Sequence, residues 1–160
     1  MTNQALNLLD AIQMAMEAEQ KAATFYADAA QEAANPLGRE LFDQLAEFER
    51  YHYSKLADLE KSLRDEGAFI EYEGRELTLS VPSEVDNKEA NKMSVMGIIT
   101  LAINAERDAE KRYTALAEQT SDPDGQTMFK RLAEEEHTHY RILSDEYYNL
   151  NNHGVWVWSE

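Results

Sequence analysis

The sequence contains no cysteine and few residues that break a helix. Its 160 residues include six glycines and three prolines. Without cysteine the chain can form no disulfide, no thiolate-bound zinc site and no cysteine-ligated iron centre. The scarcity of glycine and proline, together with a hydrophobic fraction of 43%, is typical of a helical protein of about one domain.

Positive charge is also scarce. The chain has 15 lysines and arginines against 31 aspartates and glutamates, which gives a formal net charge of −16. Such a surface repels phosphate backbones, so we expect no nucleic-acid partner. Most of the acidic residues are expected on a solvated face, but some fall where a helix should be buried and would need a cation there.

Long apolar runs are missing as well. The first residues, MTNQALNLLD, lack the basic start and apolar stretch of a secretory signal. The longest apolar stretch, around Val95 to Ile103, is too short to span a bilayer. We therefore expect no membrane contact and a cytoplasmic location.

Apolar residues recur at three- and four-residue steps in four segments, which predicts four helices. The predicted helices span about 5–34, 36–64, 91–119 and 123–150. Residues 67–90 are predicted to be extended with a short hairpin, and the tail 151–160 to be non-helical. Short joints between the paired helices predict two antiparallel hairpins joined by a long crossover, in an all-α four-helix bundle formed by a single domain, 1–160.

The sequence matches itself at an offset of 87 residues. Between residues 12–63 and 99–150, 19 of 52 positions are identical without a gap. The repeat predicts two superposable hairpins, about 5–64 and 91–150, related by a near-twofold axis. Packing explains most repeated residues, and turn geometry explains the repeated prolines and glycines.

The repeat also contains charged residues that packing does not explain. Each half has a lone glutamate on its first helix and a Glu-x-x-His motif on its second, and the spacing of that motif puts both side chains on one helix face. Carboxylate-bridged di-metal bundles use this same donor set. The predicted ligands are Glu19, Glu49, His52, Glu106, Glu136 and His139. Oxygen and imidazole donors without sulfur suit two iron ions, with manganese or zinc as substitutes.

The role of each ligand is a hypothesis. We interpret Glu49 and Glu136 as bridging and Glu19 and Glu106 as terminal, with one histidine completing each metal. A competing register on the last helix would use His137, but its repeat partner is Arg50, so we expect His137 to face away.

The repeat also pairs Tyr26 with Tyr113, two turns beyond the lone glutamates. These tyrosines are either core residues with a satisfied hydroxyl or donors to a ligand carboxylate. Trp156 and Trp158 are expected to cover the bundle or a dimer contact.

The segments AEQKAATFY, EFERYH, AERDAEKRY and EEEHTH resemble the rubrerythrin branch of the ferritin-like superfamily over about residues 5–150. The near-symmetric halves resemble its single-domain, erythrin-like members. The resemblance implies a ferritin-like fold and a di-iron peroxidase or oxidase that reduces hydrogen peroxide or dioxygen to water. It also implies an external electron-donor protein and a homodimer, swapped or unswapped.

The sequence departs from the rubrerythrin pattern in two respects. The cysteine-ligated rubredoxin module is absent. Rubrerythrins also carry an extra carboxylate one turn after a terminal glutamate, whereas this chain has Ala22 and Ala109 at those positions. This leaves the six-ligand set shared with ferroxidases. A ferroxidase subunit of an iron-storing assembly and a non-catalytic metal-binding bundle are therefore the alternative functions.

Overall fold

Four long helices account for most of the chain. The computed structural model describes residues 2–79 and 86–157, with side chains from residue 8 onward. The helices are α1 (Thr2–Glu32), α2 (Pro36–Glu66), α3 (Lys92–Gln119) and α4 (Pro123–His153). α1 packs on α2, α3 packs on α4, and α1 also packs along α3. The predicted four-helix bundle is confirmed. No helix among the described residues is long and apolar enough to cross a membrane.

The short joints between paired helices form as the sequence predicts. The side chains of Asn35 and Asp122 cap α2 and α4, each followed by a proline at the first helical position. α2 and α4 both end at a glycine in the left-handed conformation, Gly67 with φ 68° and Gly154 with φ 69°. α4 therefore runs past the predicted end at Leu150, because this glycine is what terminates the helix.

The glycines repeated at the start of α2 and α4 are required for packing rather than for turn geometry. A Cβ atom on Gly38 would lie 2.4 Å from the ring of Trp156, and one on Gly125 would lie 2.6 Å from the ring of Phe69. Trp156 is 1% exposed and covers one end of the bundle, as expected, whereas Trp158 lies outside the described residues. Each hairpin thus receives an aromatic ring from a segment outside the repeat.

The crossover differs from its prediction. Residues 67–79 form no strand, so the expected hairpin is wrong for this part, and residues 80–85 lie outside the described residues. The backbone N–H groups here donate to helix side chains instead, that of Arg75 to Glu135 (2.6 Å) and that of Thr78 to Gln44 (2.9 Å). Side chains of α2 and α4 satisfy donors that a second strand would otherwise have to satisfy.

Two apolar clusters fill the bundle. One contains Phe42, Leu45 and Ile99, and the other contains Ile12, Leu56 and Phe129. The residues of the predicted metal site lie between the two clusters in sequence on every helix. The fold therefore encloses a short polar layer within a long apolar core.

One buried carboxylate lies away from that layer. Glu146 on α4 is 1% exposed and accepts hydrogen bonds from the backbone N–H of Val157 (2.6 Å) and the side chain of Asn149 (3.4 Å). Burial raises its pKa to about 7, from an ordinary value of 4.5. Ionisation of this group therefore opposes folding.

Replacement of Glu146 should change how stability depends on pH. A carboxyl with a raised pKa in the folded state destabilises the fold progressively as pH rises from about 4.5 to about 7, and fully above that. We expect Glu146→Gln to raise the free energy of unfolding by about 2 kcal/mol at pH 8 and by almost nothing at pH 4.5. Urea unfolding at both pH values measures this, with Asp43→Asn, at an exposed residue of α2, as the control. Equal stabilisation at the two pH values would contradict the prediction.

Candidate metal centre

The six predicted ligands meet in the middle of the bundle. Each is at most 2% exposed, in this order along the chain: Glu19, Glu49, His52, Glu106, Glu136 and His139. α1 and α3 contribute one glutamate each, and α2 and α4 contribute one Glu-x-x-His pair each. The repeat therefore brings all six side chains to one place.

The donor atoms fall into two overlapping groups. One group is Glu19, Glu49, His52 and Glu136, and the other is Glu49, Glu106, Glu136 and His139. Within each group the ligand atoms lie within 4.8 Å of one another. Glu49 and Glu136 belong to both groups, whereas each histidine and each lone glutamate belongs to one. This arrangement is what two neighbouring ions with two shared carboxylates require.

Both histidines present the same nitrogen to the centre. His52 Nδ1 lies 3.3 Å from Glu136 Oε1 and 3.5 Å from Glu19 Oε2. His139 Nδ1 lies 3.2 Å from Glu49 Oε1 and 3.6 Å from Glu106 Oε1. The two imidazoles thus occupy equivalent positions about the twofold axis of the repeat.

Every one of the six residues has a buried polar atom without a hydrogen-bond partner. These atoms are Glu19 Oε2, Glu49 Oε1, His52 Nδ1, Glu106 Oε2, Glu136 Oε1 and His139 Nδ1. A buried polar atom left unpaired costs about 1–3 kcal/mol, and more if it is charged. Six such atoms directed at one place fit a pair of divalent cations, because ion coordination satisfies all of them together.

The pKa values of these residues reflect four carboxylates sharing one buried space. Burial, followed by the charge of Glu136, raises the pKa of Glu49 well above 4.5 and that of Glu106 to about 7. Burial alone would raise the pKa of Glu136, but hydrogen bonds from His139 and His52 lower it. Burial alone would lower the pKa of His139, but Glu106 and Glu136 raise it to about 9. The centre therefore favours positive charge, whether protons or metal ions.

Two tyrosines bind the lone glutamates crosswise. Tyr26 on α1 donates to Glu106 Oε1 on α3, and Tyr113 on α3 donates to Glu19 Oε1 on α1, both at 2.6 Å. Burial and the nearby carboxylates raise the pKa of both tyrosines, so each hydroxyl keeps its proton. Each tyrosine satisfies one oxygen of a lone glutamate, and the other oxygen of each, Glu19 Oε2 and Glu106 Oε2, has no hydrogen-bond partner.

Glu135 lies next to the centre and was missed by the sequence prediction. It is 5% exposed, and its Oε1 lies 3.1 Å from His52 Nε2. The hydroxyl of Tyr72, from the crossover, donates to the same oxygen. The repeat could not indicate Glu135, because its partner position holds Phe48. The sequence shows only that Glu135 is a carboxylate next to a predicted ligand. Such neighbours are common in an acidic helix.

Other histidines and glutamates near the predicted ligands in sequence lie outside the centre. His137 is exposed and lies 3.1 Å from Glu110, as expected for a residue that faces away. The repeated Glu47 and Glu134 are also exposed.

A groove between α1 and α3 reaches the centre from outside. Its volume is about 480 Å³, and its lining includes all four carboxylates of the centre. Its walls have small side chains related by the repeat: Ala18, Ala22, Ala105 and Ala109. On the opposite side of the centre, Phe48 and the crossover residue Tyr72 pack near His52, with ring centroids at 5.0 and 6.5 Å. Access from solvent is therefore on the α1–α3 side.

Comparison with known proteins identifies the family. A sequence model of the Rubrerythrin family matches residues 1–60 and 97–155. The chain belongs to the rubrerythrin family. Rubrerythrins are di-iron proteins, and the buried cluster of glutamates and histidines fits that cofactor. The residues between the two matched segments, 61–96, contain the crossover.

One solved structure gives a similar result for the fold. A hypothetical protein from Pyrococcus furiosus is 25% identical, with a TM-score of 0.73, and the alignment covers 93% of each chain. No curated protein sequence matches this rubrerythrin.

Removal of the two shared carboxylates should abolish metal binding. Elemental analysis after anaerobic addition of Fe²⁺ is expected to give two ions per chain for the unaltered protein and none for the Glu49→Ala, Glu136→Ala double variant. Each bound ion should also raise the free energy of unfolding, by about 3–4 kcal/mol at 100 to 1,000 times its Kd.

The repeat supplies a matched control for this experiment. Glu47 and Glu134 are also glutamates repeated on α2 and α4, but they are exposed. The Glu47→Ala, Glu134→Ala double variant should keep both ions. Full metal content in the Glu49, Glu136 variant would contradict the assignment.

Proposed function

We propose that the protein reduces hydrogen peroxide, or dioxygen, to water at a di-iron centre, with electrons from an external donor protein. The observation that carries the proposal is the set of six buried donor atoms without partners, at the end of a groove open to solvent. The donors provide for two redox-active ions, and the groove provides a path for a small oxidant.

The reaction needs two electrons and two protons for each peroxide, H₂O₂ + 2 e⁻ + 2 H⁺ → 2 H₂O. Two ferrous ions held by the six ligands would supply both electrons for a peroxide, and two of the four electrons that reduction of dioxygen to water needs. A separate protein must then return them, because the chain has no cysteine with which to build an iron–sulfur or rubredoxin-type centre of its own.

The protein's own residues hold and orient the reacting groups. Glu49 and Glu136 would be shared between the two ions, Glu19 and Glu106 would each hold one ion, and one histidine would complete each position. Tyr26 and Tyr113 keep their protons and fix the terminal carboxylates through the 2.6 Å hydrogen bonds. Both hydroxyls also lie at the centre, where the reaction consumes protons.

The groove favours a small oxidant. Ala22 and Ala109 have no polar side-chain atom, so neither of these two wall residues competes with the oxidant for the ions. Lys21 and Arg112 also line the groove and bring positive charge to its walls in a protein with a net charge of −16. We expect a neutral molecule such as peroxide to enter without the repulsion that this net charge imposes on anions.

Rapid mixing tests the choice of oxidant. Protein loaded anaerobically with two Fe²⁺ per chain is mixed with equal concentrations of hydrogen peroxide or dioxygen, and ferric absorbance is followed. We expect oxidation by peroxide to be at least about tenfold faster, which corresponds to 1.4 kcal/mol in the barrier. Equal or reversed rates would count against a peroxidase.

The tyrosine pair provides a second test. Tyr26→Phe and Tyr113→Phe remove the donors to the terminal carboxylates, and each should slow oxidation by peroxide by about 10- to 100-fold while leaving the iron content unchanged. Tyr53→Phe, at an exposed tyrosine of α2, is the matched control and should oxidise at the unaltered rate.

Assembly separates the proposal from iron storage. Gel filtration should give a homodimer that holds two ions per chain. A large cage that accepts hundreds of irons would instead favour a ferroxidase subunit of a storage assembly.

A further inference from the structure

The two halves of the centre differ at one pair of repeat positions. Immediately before the shared glutamate, α2 has Phe48 and α4 has Glu135. Glu135 Oε1 lies 3.1 Å from the outer nitrogen of His52, Nε2. On the other half, the Phe48 ring packs edge-on against His139 with centroids 4.3 Å apart, and His139 Nε2 is buried without a hydrogen-bond partner. One histidine therefore has a carboxylate behind it and the other has an aromatic ring.

Glu135 is held firmly in this position. Besides His52, its carboxylate accepts hydrogen bonds from the hydroxyl of Tyr72 and from the backbone N–H of Arg75 at 2.6 Å. Arg131 lies one turn earlier on α4, with its Nε 3.4 Å from the same carboxylate. The crossover supplies two of these contacts. Within residues 2–79 and 86–157, no second crossover covers the other half, so the asymmetry belongs to the architecture and not to one side chain alone.

A carboxylate behind a metal-binding histidine changes that histidine as a ligand. It accepts the outer N–H, fixes the tautomer that directs Nδ1 at the ion, holds the ring orientation and makes Nδ1 a stronger donor. Loss of such a partner typically costs 10- to 100-fold in metal affinity. His139 has no carboxylate in this place: its Nε2 has no hydrogen-bond partner, and the ring of Phe48 packs against the imidazole.

We propose that the di-metal centre is inequivalent, and that Glu135 is a positioning residue that makes the ion position completed by His52 the tighter of the two. The inference rests on the metal-binding part of the proposed function and is independent of the oxidant. An asymmetric centre would fill in a fixed order, with the position of His52 first.

The order of filling can be measured with Co²⁺, which reports its ligands by visible absorbance. Two binding steps in the unaltered protein would not be sufficient evidence, because repulsion between two cations also separates the steps. Single-histidine variants remove this ambiguity. His139→Ala should keep the tight position, and His52→Ala should keep the weak one, with a difference of about 10- to 100-fold in Kd.

A double-mutant cycle then assigns the difference to Glu135. In the His139→Ala background, Glu135→Ala should weaken Co²⁺ binding by about 10- to 100-fold. In the His52→Ala background, the same substitution should change the Kd by less than about threefold. Glu135→Gln keeps a hydrogen-bond acceptor and should recover part of the loss. Glu134→Ala, at the exposed glutamate next to Glu135 on α4, is the matched control and should not weaken the tight position.

Each outcome separates the inference from the function on which it rests. Equal Co²⁺ affinities in the two histidine backgrounds, or an equal effect of Glu135→Ala in both, would overturn the inequivalence while leaving a di-metal centre. Absence of Co²⁺ binding in the unaltered protein would overturn the centre itself and the inference with it. If Glu135→Ala does not fold, Glu135→Gln provides the same comparison, with ¹⁵N chemical shifts of His52 in the Zn²⁺-loaded protein reporting the tautomer.

Discussion

Four carboxylates enclosed in an apolar bundle are tolerable only when positive charge is enclosed with them. The rest of the architecture depends on this requirement. Two apolar clusters shield the carboxylate layer from water, and each tyrosine satisfies one oxygen of a lone glutamate. The histidines complete the donor set from the same helix turns as the shared glutamates. Metal binding and folding are thus linked, since ions that bind only the folded chain stabilise it.

The repeat explains why the centre could be located from the sequence. Glu19, Glu49 and His52 recur at a single offset among apolar residues that also recur. The repeat therefore indicated both the ligand residues and their location in the core. Helix ends marked by Asn35-Pro36 and Asp122-Pro123 were equally clear, because capping depends on local residues alone. What a repeat reveals, however, is only what the two halves have in common.

The features that could not be predicted are those that the halves do not share. The partner position of Glu135 holds a phenylalanine, and Tyr72 and Arg75 belong to a crossover that occurs once in the chain. The prediction of a hairpin in that crossover was wrong for residues 67–79, because backbone N–H groups there donate to side chains of α2 and α4. These contacts are between residues distant in sequence, so the local sequence could not predict them. The packing role of Gly38 and Gly125 also depended on Trp156 and Phe69, which are distant in sequence.

Phe48 and Glu135 occupy the same position in the two halves of the repeat. This difference between the halves has a consequence for how such a protein can evolve. In a homodimer of single hairpins every residue would occur twice about the symmetry axis, so both ions would have identical surroundings. Fusion of two hairpins into one chain removes that restriction, because a substitution then changes one half only. The linking segment that fusion requires is the same segment that holds Glu135 in place, so the covalent connection itself would make the two ion positions chemically different.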